Sequence, residues 1–97
     1  MTFRLTSAAE DEFTEASLYL LKESPDAALS FVDEVTEAIE EIAEFPYRYA
    51  IYEEEIRVSR THIHPYSIFY QIRSDHVLIL SISHDSREEG YWKDRLK

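Results

Sequence analysis

The 97-residue chain contains no cysteine and a single glycine, Gly90. Without thiols it forms no disulfide, carries no thiolate nucleophile and binds no zinc through cysteine, a pattern compatible with a reducing cytoplasm. One glycine cannot build the phosphate-cradling loop of a P-loop or dinucleotide-binding fold. No segment approaches the ~20 apolar residues of a membrane span, and the opening MTFRLTSAAEDEF has no apolar stretch of leader-peptide length. The expectation is a cytoplasmic protein with no membrane partner.

Basic residues are scarce as well, 10 against 20 acidic ones, for a net charge of −10. A field of that sign repels nucleic acid at long range. The imbalance is confined to one part of the chain, however. Residues 1–55 hold three basic and 15 acidic groups, a balance of −12, whereas residues 56–97 hold seven and five, a balance of +2. A neutral or basic face built by the second half therefore coexists with an acidic remainder.

What the chain does have is core material: 44% of its residues are hydrophobic and 13% aromatic. A single domain over residues 1–97 is expected, burying about two thirds of its unfolded surface without help from metal or cross-link. TFRLT at positions 2–6 alternates like a short strand, and Ser7 with Glu10 reads as a capping box that opens a helix. Ala9, Phe13, Ala16 and Leu20 recur at helical spacing, with Asp11, Glu12 and Glu15 on the solvent side. Ser24, Pro25 and Asp26 are three successive start signals for a second helix. Its apolar stripe is Leu29, Val32, Val35, Ile39 and Ile42, its acidic face is a solvated surface, and Pro46 ends it.

Beyond FPYRYAIY the period becomes two, through EEIRVSR (54–60), YSIFYQIR (66–73) and HVLILSIS (76–83). Ser74 and Asp75 form a tight turn between the last two strands, and VLILSI, apolar on both faces, belongs inside the sheet. The fold class is thus α+β: a two-layer domain in which an N-terminal strand and a two-helix hairpin pack on a mainly antiparallel sheet. Three C-terminal strands complete that sheet, and a short tail or helix around GYWKDRL follows.

His62 and His64 share one side of an extended segment, but no third ligand accompanies them, so no metal and no cofactor is expected. Ser83, His84 and Asp85 are adjacent on a strand end, point in different directions and cannot form a relay. A richer set is Arg57, Arg60, Arg73, His84, Arg87, Tyr91 and Arg95. Arginine forks hold phosphates, and a histidine or tyrosine among them can move protons in a metal-independent ribonuclease. Against this stand plain pairing of arginines with carboxylates, and Tyr91 and Trp92 serving only to pack the tail. On the strand Tyr66, Ile68, Tyr70 and Ile72 share the core face, leaving Phe69 as the candidate for base stacking.

PYSIFYQI followed by VLILSISHDSREEGYWKDRL, in this order of elements, resembles the RelE/ParE superfamily of bacterial type II toxins. The resemblance runs from the first helix through SPDAALSFVDEV and FPYRYAIY to the C-terminus; its specific part is the terminal H..R..YW..R pattern. It implies a growth-inhibiting toxin neutralised by a cognate antitoxin, acting either on DNA gyrase by binding or on messenger RNA at the ribosome by cleavage, with an inactive remnant that serves only as a partner-binding module as the further alternative. In the ribonuclease branch, the resemblance makes Arg87 and Tyr91 catalytic, with His84 a further proton carrier. Arg57 and Arg60 would then stand where relatives carry strand lysines, and Arg73, Trp92 and Arg95 would complete a target-binding surface. Two departures weigh toward gyrase-type binding. Ser67 occupies a position that is basic in relatives, and Glu88 and Glu89 replace a basic residue and proline beside Arg87.

Overall fold

The computed structural model describes residues 1–88 and 90–96. The elements run β1 (Thr2–Leu5), α1 (Ser7–Glu23), α2 (Pro25–Glu44), β2 (Ala50–Glu53), β3 (Ile56–Arg60), β4 (Tyr66–Ile72) and β5 (His76–His84), ending in a 3-10 turn at Lys93–Leu96. The strands form one sheet in the order β1-β5-β4-β3-β2. Among the described residues only the β1–β5 pairing is parallel; the others are antiparallel. The expected α+β architecture is the observed one, with one more strand than the sequence pattern indicates.

The first helix starts on Thr6 rather than on a Ser7–Glu10 box. Thr6 closes β1 by donating its amide to Ile79 O at 3.1 Å, and its hydroxyl accepts the Ala9 amide at 3.0 Å. The residue that ends the strand is therefore already placed to cap the helix, and Glu10 adds only its charge to the first turn. At the other end Ser24 serves both helices: its amide reaches Leu20 O at 2.9 Å and its hydroxyl accepts from the Ala27 amide at 3.3 Å. Pro25 follows at the first position of α2, where a missing N–H costs nothing.

Between the helices and the sheet lies the main core, in which Phe31, Val35, Ile39 and Ile42 meet Tyr66, Ile68, Tyr70, Val77, Ile79 and Ile82. Phe13, Ala16 and Leu20 pack against it from α1. Leu29, expected in the α2 stripe, is 63% exposed; the buried face runs through Ala28, Phe31 and Val35 instead. Tyr70 sends its hydroxyl to Pro46 O at 2.7 Å, fixing the connection out of α2. Burial pushes the Tyr70 phenol up to about 12, the nearby Arg57 charge opposing and Tyr49 adding to the effect.

The β4–β5 hairpin turns through Ser74 and Asp75 as expected, with Arg73 N donating to His76 O at 2.8 Å. The unanticipated β2 pairs with β3 through a register irregularity between Ile51 and Glu53. Glu54, in the turn that follows, has φ 49°, an uncommon left-handed conformation for a side chain of its length. Among the described residues no helix is long and apolar enough to cross a membrane.

Candidate functional site

The second face of the sheet is not bare. Trp92, only 1% exposed, joins Ile56, Val58, Phe69 and Leu80 in a second apolar cluster. Its ring centroid lies 4.7 Å from Phe69 and 5.8 Å from Tyr52. Phe69 is therefore 2% exposed and core, not a stacking platform, because the C-terminal segment folds back over it. That return depends on Gly90, whose φ is +81° and where an added Cβ would come within 2.9 Å of Lys93 Cε.

The return brings the terminal motif against α1, where Glu12 gathers it. One Glu12 oxygen accepts the Ile82 amide at 3.1 Å and the Ser81 hydroxyl at 3.2 Å. Arg95 donates to both Glu12 oxygens at 2.9 and 3.3 Å, and to Leu80 O at 3.0 Å. The Tyr91 hydroxyl donates to Glu12 as well. Side-chain exposures of 14% for Glu12 and 22% for Arg95 leave this forked ion pair shielded from solvent. Glu12 does not belong to a wet face: one residue before the inward-facing Phe13, it lies on the flank of α1 and reaches across to β5.

Above this anchor, the Arg87 guanidinium lies 3.9 Å from the centroid of the Tyr91 ring, and that of Arg95 lies at 5.2 Å. Arg87 is exposed and follows a turn in which its amide donates to His84 O at 2.9 Å. Among the described residues, none accepts a hydrogen bond from its side chain or pairs with it. Arg87 and Glu88 line one small depression with Arg60, His84 and Asp85, while the expectation attached to Glu89 lies outside the described residues.

Arg60 lies on the same side of the molecule. It donates to Ser67 Oγ at 2.6 Å, Ser67 donates to Asp85 at 2.6 Å, and Asp85 lies 3.7 Å from Arg60. Ser67 thus links a cation to a carboxylate. His84 is exposed, with its ring 5.2 Å from that of Tyr66. Its Nδ1 accepts the Ser86 amide at 3.0 Å, which leaves Nε2 to carry the proton in the neutral ring.

Two members of the sequence-derived set lie elsewhere. Arg57 points to the opposite sheet face, donating to Tyr49 O at 2.8 Å and Tyr47 O at 3.3 Å. Arg73 donates to Gln71 at 2.7 Å beyond the far end of β4. The structure therefore brings Arg60, His84, Arg87, Tyr91, Trp92 and Arg95 to one region and separates Arg57 and Arg73 from it.

The histidine pair serves a different purpose. His62, Ile63 and His64 turn their backbone amides onto the Glu34 carboxylate at 3.0, 2.8 and 3.0 Å, and His64 Nε2 lies 3.2 Å from Ser30 Oγ. Partial burial pushes the Glu34 carboxyl up, but the three amides and the nearby His64 outweigh it and hold the group below its ordinary value. Among the described residues, no three histidine or acidic side chains converge to hold a metal.

Sequence reasoning found the terminal motif but missed Glu12, its most connected partner. No local signal marks that role, since helical periodicity registers the face of a residue and not how far its side chain reaches.

Comparison with known proteins gives this arrangement a family. A search of curated proteins found no match. Among solved structures, a chain of the chromosomal ParDE toxin-antitoxin system from P. aeruginosa superposes with a TM-score of 0.74 at 18% identity. The superposition covers 87% of this chain and 95% of that one, which establishes a common fold. A family model described as the ParE toxin of the type II toxin-antitoxin system, parDE, matches residues 3–89, from the first strand through the loop that carries Arg87. The chain belongs to the ParE family of type II toxins.

Proposed function

We propose that this toxin, held in check by a cognate antitoxin, arrests growth by binding a protein target, DNA gyrase, through the surface around Arg87. The observation that carries the proposal is the engagement of the Tyr91 hydroxyl. It donates to a carboxylate already bound at both oxygens by Arg95, whereas the exposed Arg87 guanidinium rests on the Tyr91 ring and makes no side-chain hydrogen bond or ion pair with a described residue. A general acid or base needs an atom free to meet the substrate, and a recognition residue needs an available charge. Tyr91 is built as a support and Arg87 as a contact.

Charge supports the same view. Asp85 offsets Arg60, and Arg57 faces away, so among the described residues no cluster of unbalanced cations surrounds Arg87 to hold a polyanion.

The test is supercoiling of relaxed plasmid by purified gyrase in the presence of the wild-type protein or Arg87→Ala. Inhibition by the wild type and its loss in the variant are expected, with messenger RNA on translating ribosomes left intact. Cleaved transcripts with unimpaired supercoiling would replace gyrase binding by ribonuclease action.

A further inference from the structure

Arg87 is presented without a hydrogen bond or ion pair from any described residue, yet its guanidinium sits over a ring that is itself held. We propose that Glu12 is a positioning residue for the toxin's target surface: through Tyr91 it fixes where Arg87 stands. The inference rests on the reading of Arg87 as a target contact.

The physical chain has three links. Glu12 is fixed from the β5 side by the Ile82 amide and the Ser81 hydroxyl, so its carboxylate is a rigid point on the sheet although it grows from α1. Tyr91 donates its hydroxyl to that point, which pins the far end of the ring and so fixes its position and the direction of its long axis. A phenol donating to a carboxylate also gains electron density, and a richer ring face attracts a guanidinium more strongly; Arg87 lies 3.9 Å above it. Arg95 balances the Glu12 charge with two hydrogen bonds while leaving the Tyr91 contact in place. An arginine on an exposed loop, otherwise free to sample many rotamers, is thereby held near one place before the target arrives, which lowers the entropy cost of association.

Glu12 also helps to hold the tail through Arg95, but it does not hold it alone: Trp92 in its apolar cluster and the Lys93–Glu53 pair at 2.7 Å attach the tail independently of Glu12.

The experiment separates position from fold by using the full chain with Arg87 side-chain NMR signals as the reporter. In the wild type, the Tyr91 ring current is expected to shift the Arg87 side-chain protons upfield, with Trp92 fluorescence reporting a docked tail. Glu12→Gln keeps size and shape but loses the charge. It is expected to move the Arg87 signals at least halfway to exposed-arginine values while Trp92 emission stays unchanged. Target affinity should fall about two- to fivefold, the factor one exposed cation–π contact supports. Tyr91→Phe cuts the same link from the other end with the ring retained, and keeps the test decisive if Glu12→Gln does not fold. It should reproduce the shift, and adding Glu12→Gln to it should bring no further loss of affinity.

Arg87 signals that stay at wild-type positions in Glu12→Gln and in Tyr91→Phe would overturn the proposal. So would additive losses in the double variant, which would mean that Glu12 acts by another route. If instead Arg87→Ala remains fully toxic, it is the assignment of the target surface that fails, and the NMR result still judges the Glu12–Tyr91–Arg87 linkage by itself.

Discussion

Trp92 offers a severe test of how the terminal motif is held. Its indole is enclosed by Phe69, Tyr52, Ile56, Val58 and Leu80, and among the described residues no acceptor reaches its Nε1 hydrogen. Two opposing contributions follow. Truncation to alanine removes a large buried ring from a packed cluster, a change that costs about 3–5 kcal/mol. Replacement by phenylalanine removes part of the ring together with a buried donor whose unmet desolvation costs about 1–3 kcal/mol. The lost packing and the relieved donor nearly cancel, so Trp92→Phe should lie within ~1 kcal/mol of the wild type. Trp92→Ala should lower the melting temperature by roughly 12 °C or more, at about 4–8 °C per kcal/mol for a domain of this size. Urea unfolding followed by far-UV circular dichroism suits both variants, since each removes the single tryptophan, and m-values should stay unchanged. If Trp92→Phe proves as damaging as Trp92→Ala, the buried N–H is satisfied and the reasoning fails.

Five further outcomes are expected. Glu34→Ala leaves three amides of the 62–64 loop without their acceptor and should cost about 1–2 kcal/mol, read from chemical denaturation. Because the folded-state carboxyl titrates below its ordinary value, the Glu34 contribution is complete above that value and disappears as pH falls through the folded one; Glu34→Gln should flatten this part of the acid stability profile. Tyr70, pushed up to about 12, favours the folded state fully below pH ~10, and that contribution should fade between there and about 12; ultraviolet titration should find a late-ionising phenol absent from Tyr70→Phe. Glu54 sits at φ 49°, so Glu54→Asn, which tolerates that conformation better, should raise stability by a few tenths of a kcal/mol in thermal melts. Binding of the antitoxin should weaken as salt rises if it meets the −12 segment with basic residues, and titration calorimetry at two ionic strengths decides this.

The helical hairpin was legible because its signals are local: Ser24 and Pro25 announce α2, and apolar spacing marks the faces of both helices. β4 and β5 were legible for the same reason, their alternation and their Ser74–Asp75 turn being contained in short windows. Long-range contacts were not. β2 escaped notice because four mostly exposed residues at a sheet edge bury too little to imprint a pattern. Phe69 was misjudged because the segment that covers it lies 23 residues further on, at Trp92. Likewise Glu12 looked like any acidic residue of a solvated helix, since its partners at Ser81, Ile82, Tyr91 and Arg95 are drawn from the other end of the chain. Even the cap at Thr6 was displaced by a contact the local pattern cannot contain, the bond to Ile79.

The parallel pairing of β1 with β5 bears on the timing of this molecule's life. Thr6 reaches Leu80 across 74 residues, and Thr2 to Leu5 find their strand partners only at His76 to Ile79. Because synthesis proceeds from the N-terminus, at about 5–20 residues per second, the helical hairpin emerges seconds before the strand it must rest on. Non-local pairing of this kind is also intrinsically slow. The nascent chain is thus an exposed pair of helices, and the surface proposed to meet the target is assembled only once β5 and the tail are out. An antitoxin able to recognise the early helices would gain a head start over the poison.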